Sequence, residues 1–249
     1  MEKLLEEILI TNQVKDRNGN FHSLHSHTRR AQCEFLQKLI EDVKPSLSLE
    51  IGLAYGISTL AILEELAKNN KPYHHVVVDP MQADWGDVGL LNIERAGYLD
   101  KVSFERKFSD QVIPKMYYDN YRIQFAYIDS TKVLDVLMTD VYFINKILDI
   151  GGILVLDDCG FPGIRALVRF LSQHPSFEIC GSYDQDNSSK KVQGLKKLYL
   201  SGIGLLPFKN KALPNYNFAS DEQLGVNYSC LAFRKIKNDD RKWDWHANF

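Results

Sequence analysis

An alternation of strand and helix patterns from Pro45 onward is the feature that most limits how this sequence can fold. Short apolar runs are separated by segments with apolar residues at helical spacing. The predicted strands are Leu47–Ile51, His75–Val78, Val102–Glu105, Phe125–Ile128, Ile153–Leu156, Phe177–Cys180 and Tyr228–Phe233. Parallel strands need long crossovers, which are usually helices. The pattern therefore predicts an α/β fold with a doubly wound, mostly parallel seven-stranded sheet and helices on both faces.

The segments between and before these strands predict the helices. Those expected to cover the sheet are Thr59–Ala67, Leu90–Ala96, Asp110–Met116 and Ile164–Ser172. A further helix is expected between the strands Phe125–Ile128 and Ile153–Leu156, and it should end in a turn at Gly151-Gly152. Met1–Ile10 is expected to be helical, followed by a polar loop and a second helix from Arg29 to about Val43 with Thr28 as its N-cap. We expect residues 1–44 to form an N-terminal helical segment and residues 45–249 the main domain. Within that domain, residues 185–223 are predicted to form either a strand pair or a lid-like insertion.

Composition limits the class of protein. The chain has 249 residues, of which 45% are hydrophobic and 25% charged, with a formal net charge of -2. These values are typical of one large globular domain, and no apolar run reaches the roughly 18 residues of a membrane span. The near-neutral charge argues against nucleic acid as a partner. Four cysteines without metal-site spacing favour free thiols in a reducing compartment, and hence a cytoplasmic location, over disulfides.

Acidic residues follow two of the predicted strands. Asp129 comes directly after Phe125–Ile128, and Asp157 and Asp158 come directly after Ile153–Leu156. Ligands of parallel α/β sheets bind outside the carboxyl ends of the strands, so these carboxylates are expected to converge there. Their mutual repulsion requires a cation or a positive side chain nearby. Lys132 is the nearest such side chain in sequence.

A glycine-containing loop joins the first strand of the sheet to the next helix. Gly52 and Gly56 permit a tight turn, and the helix N-terminus beyond them offers amides to an anion. The GxxxG spacing matches neither the dinucleotide motif nor a phosphate loop. Asp79, at the tip of the second strand, is placed to accept hydrogen bonds from ribose hydroxyls. Together these features indicate a nucleoside ligand without a diphosphate.

These residues resemble a known family. The ExGxxxGxS pattern that starts at Glu50, followed by a strand that ends in an acid, is similar to the cofactor site of class I S-adenosylmethionine-dependent methyltransferases. The similarity extends to metal-dependent O-methyltransferases of the catechol and macrocin O-methyltransferase kind. It implies S-adenosylmethionine as cofactor, with Ser109 and Asp110 beside the adenine. The implied cofactor-binding residues are Glu50, Gly52, Gly56, Ser58, Asp79, Ser109, Asp110 and Asp129.

The same resemblance implies a metal site and a base. In the family, residues matched by Asp129, Asp157 and Asp158 bind Mg²⁺ or another divalent cation, and the residue matched by Lys132 acts as general base. Such a base needs a lowered pKa, which partial burial and the metal's charge would supply. The alternative for Lys132 is a structural salt bridge to one of the aspartates. Thr131 departs from the catechol enzyme, which has an aromatic residue there.

The resulting expectation is a Mg²⁺-dependent enzyme that methylates a hydroxyl of a small molecule, and a homodimer or higher oligomer. One alternative is a non-catalytic protein that binds the cofactor or acts as a scaffold. A nicotinamide-dependent oxidoreductase is disfavoured because GxGxxG is absent. His25 and His27 are spaced so that they could bind a metal, but a solvated or capping role is commoner for such a pair. The aromatic tail, with Trp243 and Trp245, is expected to pack on the body or on a partner subunit.

Overall fold

A seven-stranded sheet forms the centre of the computed structural model, which describes residues 2–69, 71–184 and 219–246. In chain order the strands are β1 (Gln13–Lys15), β2 (Phe21–Ser23), β3 (Leu47–Ile51), β4 (His74–Val78), β5 (Val102–Glu105), β6 (Ile123–Ile128), β7 (Leu148–Leu156), β8 (Phe177–Tyr183) and β9 (Cys230–Lys235). The order across the sheet is β5-β4-β3-β6-β7-β9-β8. Strands β3 to β7 pair in parallel, whereas β9 lies antiparallel between β7 and β8. The predicted fold class is confirmed.

Helices cover both faces of this sheet. They are α1 (Glu2–Thr11), α2 (Arg30–Val43), α3 (Ile57–Lys68), α4 (Val88–Arg95), α5 (Ser109–Tyr118), α6 (Leu134–Ile147), α7 (Pro162–Leu171) and the short α8 (Asp221–Leu224). Apolar side chains of α1 to α4 pack on one face of the sheet, and those of α5 to α7 pack on the other. Because Leu36 and Ile40 of α2 lie in the same buried cluster as the strand residues Phe125 and Val155, the N-terminal segment shares the core of the sheet.

The path of the chain through the sheet determines where a ligand can bind. From β3 the chain moves outward to β4 and β5, then returns to β6 on the other side of β3. This reversal separates the loops that follow β3 and β6 and opens a crevice between them. Hydrogen bonds continue one residue beyond the strands, from the Asp129 amide to the Ile51 carbonyl and from the Asp157 amide to the Ile128 carbonyl. The acids at the strand ends are therefore fixed at the edge of this crevice.

Three local predictions from the sequence are wrong. The polar stretch before α2 contains a short antiparallel hairpin, because β1 pairs with β2 around the Asn18-Gly19 turn. Thr28 does not cap α2, which begins at Arg30 after Arg29 and has no side-chain cap. The Gly151-Gly152 turn expected between a helix and a strand lies inside β7, which already pairs with β6 at Leu148. Gly151 has a φ of 88°, and the register shifts there instead of the strand ending.

All four cysteines are free, as predicted. No helix in the described parts of the chain is long and apolar enough to cross a membrane. Of the segment predicted as a strand pair or lid, residues 185–218 lie outside the described residues. In the tail, the Trp245 ring lies 6.0 Å from that of Phe170 on α7, whereas Trp243 is 97% exposed.

Candidate active site

A cavity of about 920 Å³ opens at the carboxyl ends of β3, β4, β6 and β7. The loops that follow these four strands form its floor and sides. The segment between β2 and α2, including His25 and Thr28, also lines the cavity, as does Gln32 on α2. The predicted sheet-edge residues Asp79, Asp129 and Asp157 therefore face one space.

The glycine loop is held against the end of β6. Gly52 has a φ of 99°, and a Cβ added to it would lie 2.8 Å from the Asp129 carbonyl carbon and would collide with its oxygen. Gly56, with a φ of 76°, lies directly before α3 and packs on the backbone of Gly89. Only glycine fits at position 52, because both the positive φ and the close approach of the Asp129 backbone exclude a side chain. Gly52 and Ser58 line the cavity.

Glu50 lies behind this loop. Its side chain is fully buried and accepts hydrogen bonds from Ser58 Oγ at 2.5 Å, Thr59 Oγ1 at 2.6 Å and His75 Nε2 at 3.0 Å. A buried carboxylate needs such partners, and here they tie β3, β4 and the start of α3 together. The structure places Glu50 outside the cavity lining of the described residues. Its predicted contact with the cofactor stays a prediction, and its visible role is to hold the loop.

Asp79 supports the loop from the side of β4. Its Oδ2 accepts from the Leu53 amide at 3.0 Å and the Ala54 amide at 3.2 Å, and its Oδ1 accepts from the Met81 amide at 2.8 Å. Gln82 Nε2 also donates to Oδ2, at 3.2 Å. A carboxylate offers about four acceptor positions, so one position on Oδ1 is left for a ligand hydroxyl. Asp79 therefore both fixes the loop and faces the cavity.

The two residues predicted to lie beside the adenine, Ser109 and Asp110, differ in exposure. Ser109 is buried, lines the cavity and donates from Oγ to Asp140 Oδ2 at 3.0 Å. This bond leaves the Ser109 oxygen free to accept from a ligand amine. Burial raises the pKa of Asp140 to about 7. Asp110 instead lies exposed in the first turn of α5 and outside the cavity lining of the described residues, because the helix turns it away from Ser109.

The three strand-end acids and Lys132 form one charged cluster at the cavity. Lys132 Nζ lies 2.5 Å from Asp158 Oδ2 and 3.3 Å from Asp129 Oδ1. Gly163 lies so close to the Lys132 carbonyl that an added Cβ would collide with it, so the β6–α6 loop packs against the start of α7. Asp158 has a φ of 54°, a left-handed conformation that aspartate tolerates better than most residues. The cluster is thus fixed by backbone contacts.

The electrostatics of the cluster favour bound positive charge. Burial, and then the charge of Asp157, raise the pKa of Asp129 to about 7, although Lys132 lowers it. Burial also raises the pKa of Asp157. For Lys132, burial opposes the charged form, but Asp129 and Asp158 outweigh it and raise the pKa of the ammonium. The structure therefore shows the salt bridge that was the alternative role of Lys132, and its role as a general base stays a prediction.

The chain is similar to catechol O-methyltransferases in sequence and to O-methyltransferases in fold. The chain is 26% identical to mouse catechol O-methyltransferase over 184 residues, which cover 72% of this chain and 67% of the mouse protein. Identity to the bovine catechol O-methyltransferase is 23% over 181 residues, 71% and 64% of the two chains. The chain thus spans about two thirds of the length of these relatives. A solved structure of a Bacillus cereus O-methyltransferase in complex with SAH superposes with a TM-score of 0.57 at 20% identity, over 72% of this chain and 83% of that one.

The family match falls on the site itself. A family model described as a methyltransferase domain matches residues 49–159, a range that holds the glycine loop, Asp79, Ser109 and the acidic cluster. Residues 49–159 therefore form a methyltransferase domain. Residues 1–44 of this methyltransferase lie outside the matched range, although Gln32 and the loop before α2 help to form the cavity.

The acidic cluster of the methyltransferase fits a hard divalent cation in its chemistry. Three carboxylates line the cavity, and the Lys132 ammonium already lies between Asp158 and Asp129. Mg²⁺ prefers such oxygen ligands. Among the described residues, however, no group of three or more His, Cys, Asp or Glu side chains is arranged as a coordination sphere. The three carboxylates that could bind a cation are therefore present, and in this structure the Lys132 ammonium provides the positive charge beside Asp129 and Asp158. His25 belongs to no such group among the described residues, and its ring stacks on that of Trp85 with centroids 5.1 Å apart.

Several site residues were not found from the sequence. Tyr127 lies fully buried on β6, Gln32 lies on α2, and both contact Asp157. One signal for Gln32 was available, since it lies four residues before Leu36 and so falls on the apolar face of α2. A polar residue in that position needs a buried partner. Tyr127 sits in an apolar strand and gave no comparable signal.

Proposed function

We propose that this methyltransferase transfers the methyl group of S-adenosylmethionine to a hydroxyl oxygen of a small molecule, and that Asp129, Asp157 and Asp158 bind Mg²⁺ for this reaction. The observation that carries the proposal is the common cavity, which joins the glycine loop and Asp79 to the three carboxylates and Lys132. The similarity to catechol O-methyltransferases supports the oxygen acceptor.

The protein's contribution to this reaction is mainly orientation. S-adenosylmethionine brings an activated methyl group, and Asp79 and Ser109 offer acceptor positions for its ribose hydroxyls and adenine amine. Bound Mg²⁺ would supply acidification and orientation of the acceptor hydroxyl. Lys132 would take the proton from that hydroxyl, because a cation on Asp129 and Asp158 offsets the charges that now raise the pKa of the ammonium. The proposal also includes a small molecule as the acceptor, a cytoplasmic location, and a homodimer or higher oligomer.

A chelation experiment tests the metal requirement. Purified protein is incubated with S-adenosylmethionine and three acceptors, a catechol, a monophenol and a sugar diol, and methylated product is measured by mass spectrometry. We expect product that disappears with EDTA and returns with excess Mg²⁺. Product formation indifferent to the chelator would remove the metal from the proposal while leaving the methyltransferase activity intact.

A second measurement separates loss of chemistry from loss of cofactor binding. Asp157→Asn keeps the shape of the side chain but removes its charge, so we expect weaker Mg²⁺ dependence with unchanged affinity for S-adenosylhomocysteine in calorimetry. If the wild-type protein bound S-adenosylhomocysteine but methylated none of the three acceptors, the proposed acceptor classes would be wrong. If it did not bind that product at all, the cofactor assignment would be wrong.

A further inference from the structure

Asp157 is held by a hydrogen-bond network that crosses from the matched domain to the N-terminal helix α2. Its Oδ2 accepts from Gln32 Nε2 at 2.5 Å and from the Tyr127 hydroxyl at 2.8 Å. Gln32 Nε2 also lies 3.2 Å from the Tyr127 oxygen, to which it donates. Gln32 is only 5% exposed and Tyr127 is fully buried, so breaking these hydrogen bonds would leave largely desolvated polar groups.

The network controls which acceptor positions of Asp157 remain available. Oδ2 receives two donors, and Oδ1 receives the Asp158 amide at 2.8 Å. Of about four acceptor positions on a carboxylate, one on Oδ1 is then left. Asp157 lines the cavity, so this position is the one that a ligand can use. Without Gln32 and Tyr127, the carboxylate could rotate and offer either oxygen.

We propose that Gln32 and Tyr127 are positioning residues for Asp157: they fix its carboxylate so that a single oxygen is presented to the divalent cation, and the N-terminal segment thereby forms part of the cation site. This inference rests on the proposed function, because it concerns the same cation. Neither residue needs to touch the cation. Partners that orient a metal ligand in this way typically change metal affinity about 10- to 100-fold when they are replaced.

The test measures cation binding directly, apart from turnover. Mn²⁺ is titrated into the full chain and the free ion is followed by electron paramagnetic resonance. Gln32→Met keeps the length of the side chain but removes its donors, and Tyr127→Phe removes only the hydroxyl. We expect each variant to bind Mn²⁺ about tenfold more weakly. Since both donors serve one oxygen, the effects of the two changes should not add in the double variant.

Gln37→Met is the matched control, because Gln37 lies on the same helix and, among the described residues, donates one long 3.4 Å bond to the Ala61 carbonyl. It should bind Mn²⁺ like the wild-type chain. In all variants, affinity for S-adenosylhomocysteine by calorimetry should stay close to wild type, and the melting temperature should fall by no more than the few degrees that one lost buried hydrogen bond causes.

Each other outcome overturns a defined part of the argument. Unchanged Mn²⁺ affinity in both Gln32→Met and Tyr127→Phe would overturn the positioning role and leave the cation site standing. Parallel losses of Mn²⁺ affinity, S-adenosylhomocysteine affinity and melting temperature would show a general structural role instead. A wild-type chain that binds no Mn²⁺ would overturn the cation site and the positioning role together.

Discussion

Replacement of Gly52 by alanine should damage both the fold and the cofactor site. At a φ of 99° an alanine is strained, and its Cβ would collide with the Asp129 carbonyl oxygen. A left-handed backbone costs a non-glycine residue roughly 1–2 kcal/mol. Overpacking adds about 1–3 kcal/mol, because the obstructing atoms belong to the backbone and cannot rotate away. The free energy of unfolding should therefore fall by about 2–5 kcal/mol.

Gly52→Ala should also weaken cofactor binding, because the loop contains the amides that hold Asp79. If the loop withdraws from Asp129, the Leu53 and Ala54 amides move away from Asp79, and the carboxylate loses two of its donors. Charged hydrogen bonds contribute about 1.5–3 kcal/mol each, so affinity for S-adenosylhomocysteine should fall at least about tenfold. The measurements are thermal unfolding by circular dichroism and titration calorimetry with S-adenosylhomocysteine.

Gly19→Ala separates backbone strain from collision. Gly19 has a φ of 88° in the N-terminal hairpin, but an added Cβ would meet no atom within 4 Å. It should lower the free energy of unfolding by only about 1–2 kcal/mol and leave cofactor affinity unchanged. Equal destabilisation by the two substitutions, or normal S-adenosylhomocysteine binding by Gly52→Ala, would refute the reasoning.

Three further predictions concern single side chains. Asp79 accepts four hydrogen bonds, and Asp79→Asn replaces one of its acceptor oxygens by an NH2 group that cannot accept them. Calorimetry should therefore show affinity for S-adenosylhomocysteine reduced by about tenfold or more. Wild-type affinity would contradict this account of the loop. Lys132→Met should lower kcat while cofactor affinity in calorimetry stays near wild type, and an unchanged kcat would exclude Lys132 as the base. Burial lowers the pKa of His174 to about 4, below its ordinary value, so the unfolded chain takes up a proton between pH 6.5 and 4 that the folded chain does not. The contribution of neutral His174 to the free energy of unfolding is therefore complete above about pH 6.5 and falls by at most about 3 kcal/mol as the pH drops to 4. In His174→Gln the urea concentration at the unfolding midpoint should depend less on pH over that range. An equally steep pH dependence in the variant would show that other groups cause it.

The fold could be predicted to a large extent from the sequence, because its signals are local and repeated. Each strand is an apolar run bounded by polar or turn residues, and each crossover shows helical spacing, so the parallel sheet and its acidic strand ends followed directly. The GxxxG loop and Asp79 were recognised in the same way. Errors arose where local signals were ambiguous: Gly151-Gly152 has turn composition but lies in a strand, because pairing of Leu148 with Ile123 continues the ladder through it.

The site was only partly predictable, since charges and contacts depend on neighbours that are distant in sequence. The sequence by itself determined that Asp129, Asp157 and Asp158 end neighbouring strands and that Lys132 follows closely. Only the tertiary structure decided that Lys132 pairs with Asp158, that Glu50 is buried behind the loop, and that Asp110 turns outward. Gln32 and Asp157 are separated by 125 positions and meet only because α2 packs against the sheet. Periodicity fixes the face on which a residue lies, whereas packing between elements fixes the residues that it meets.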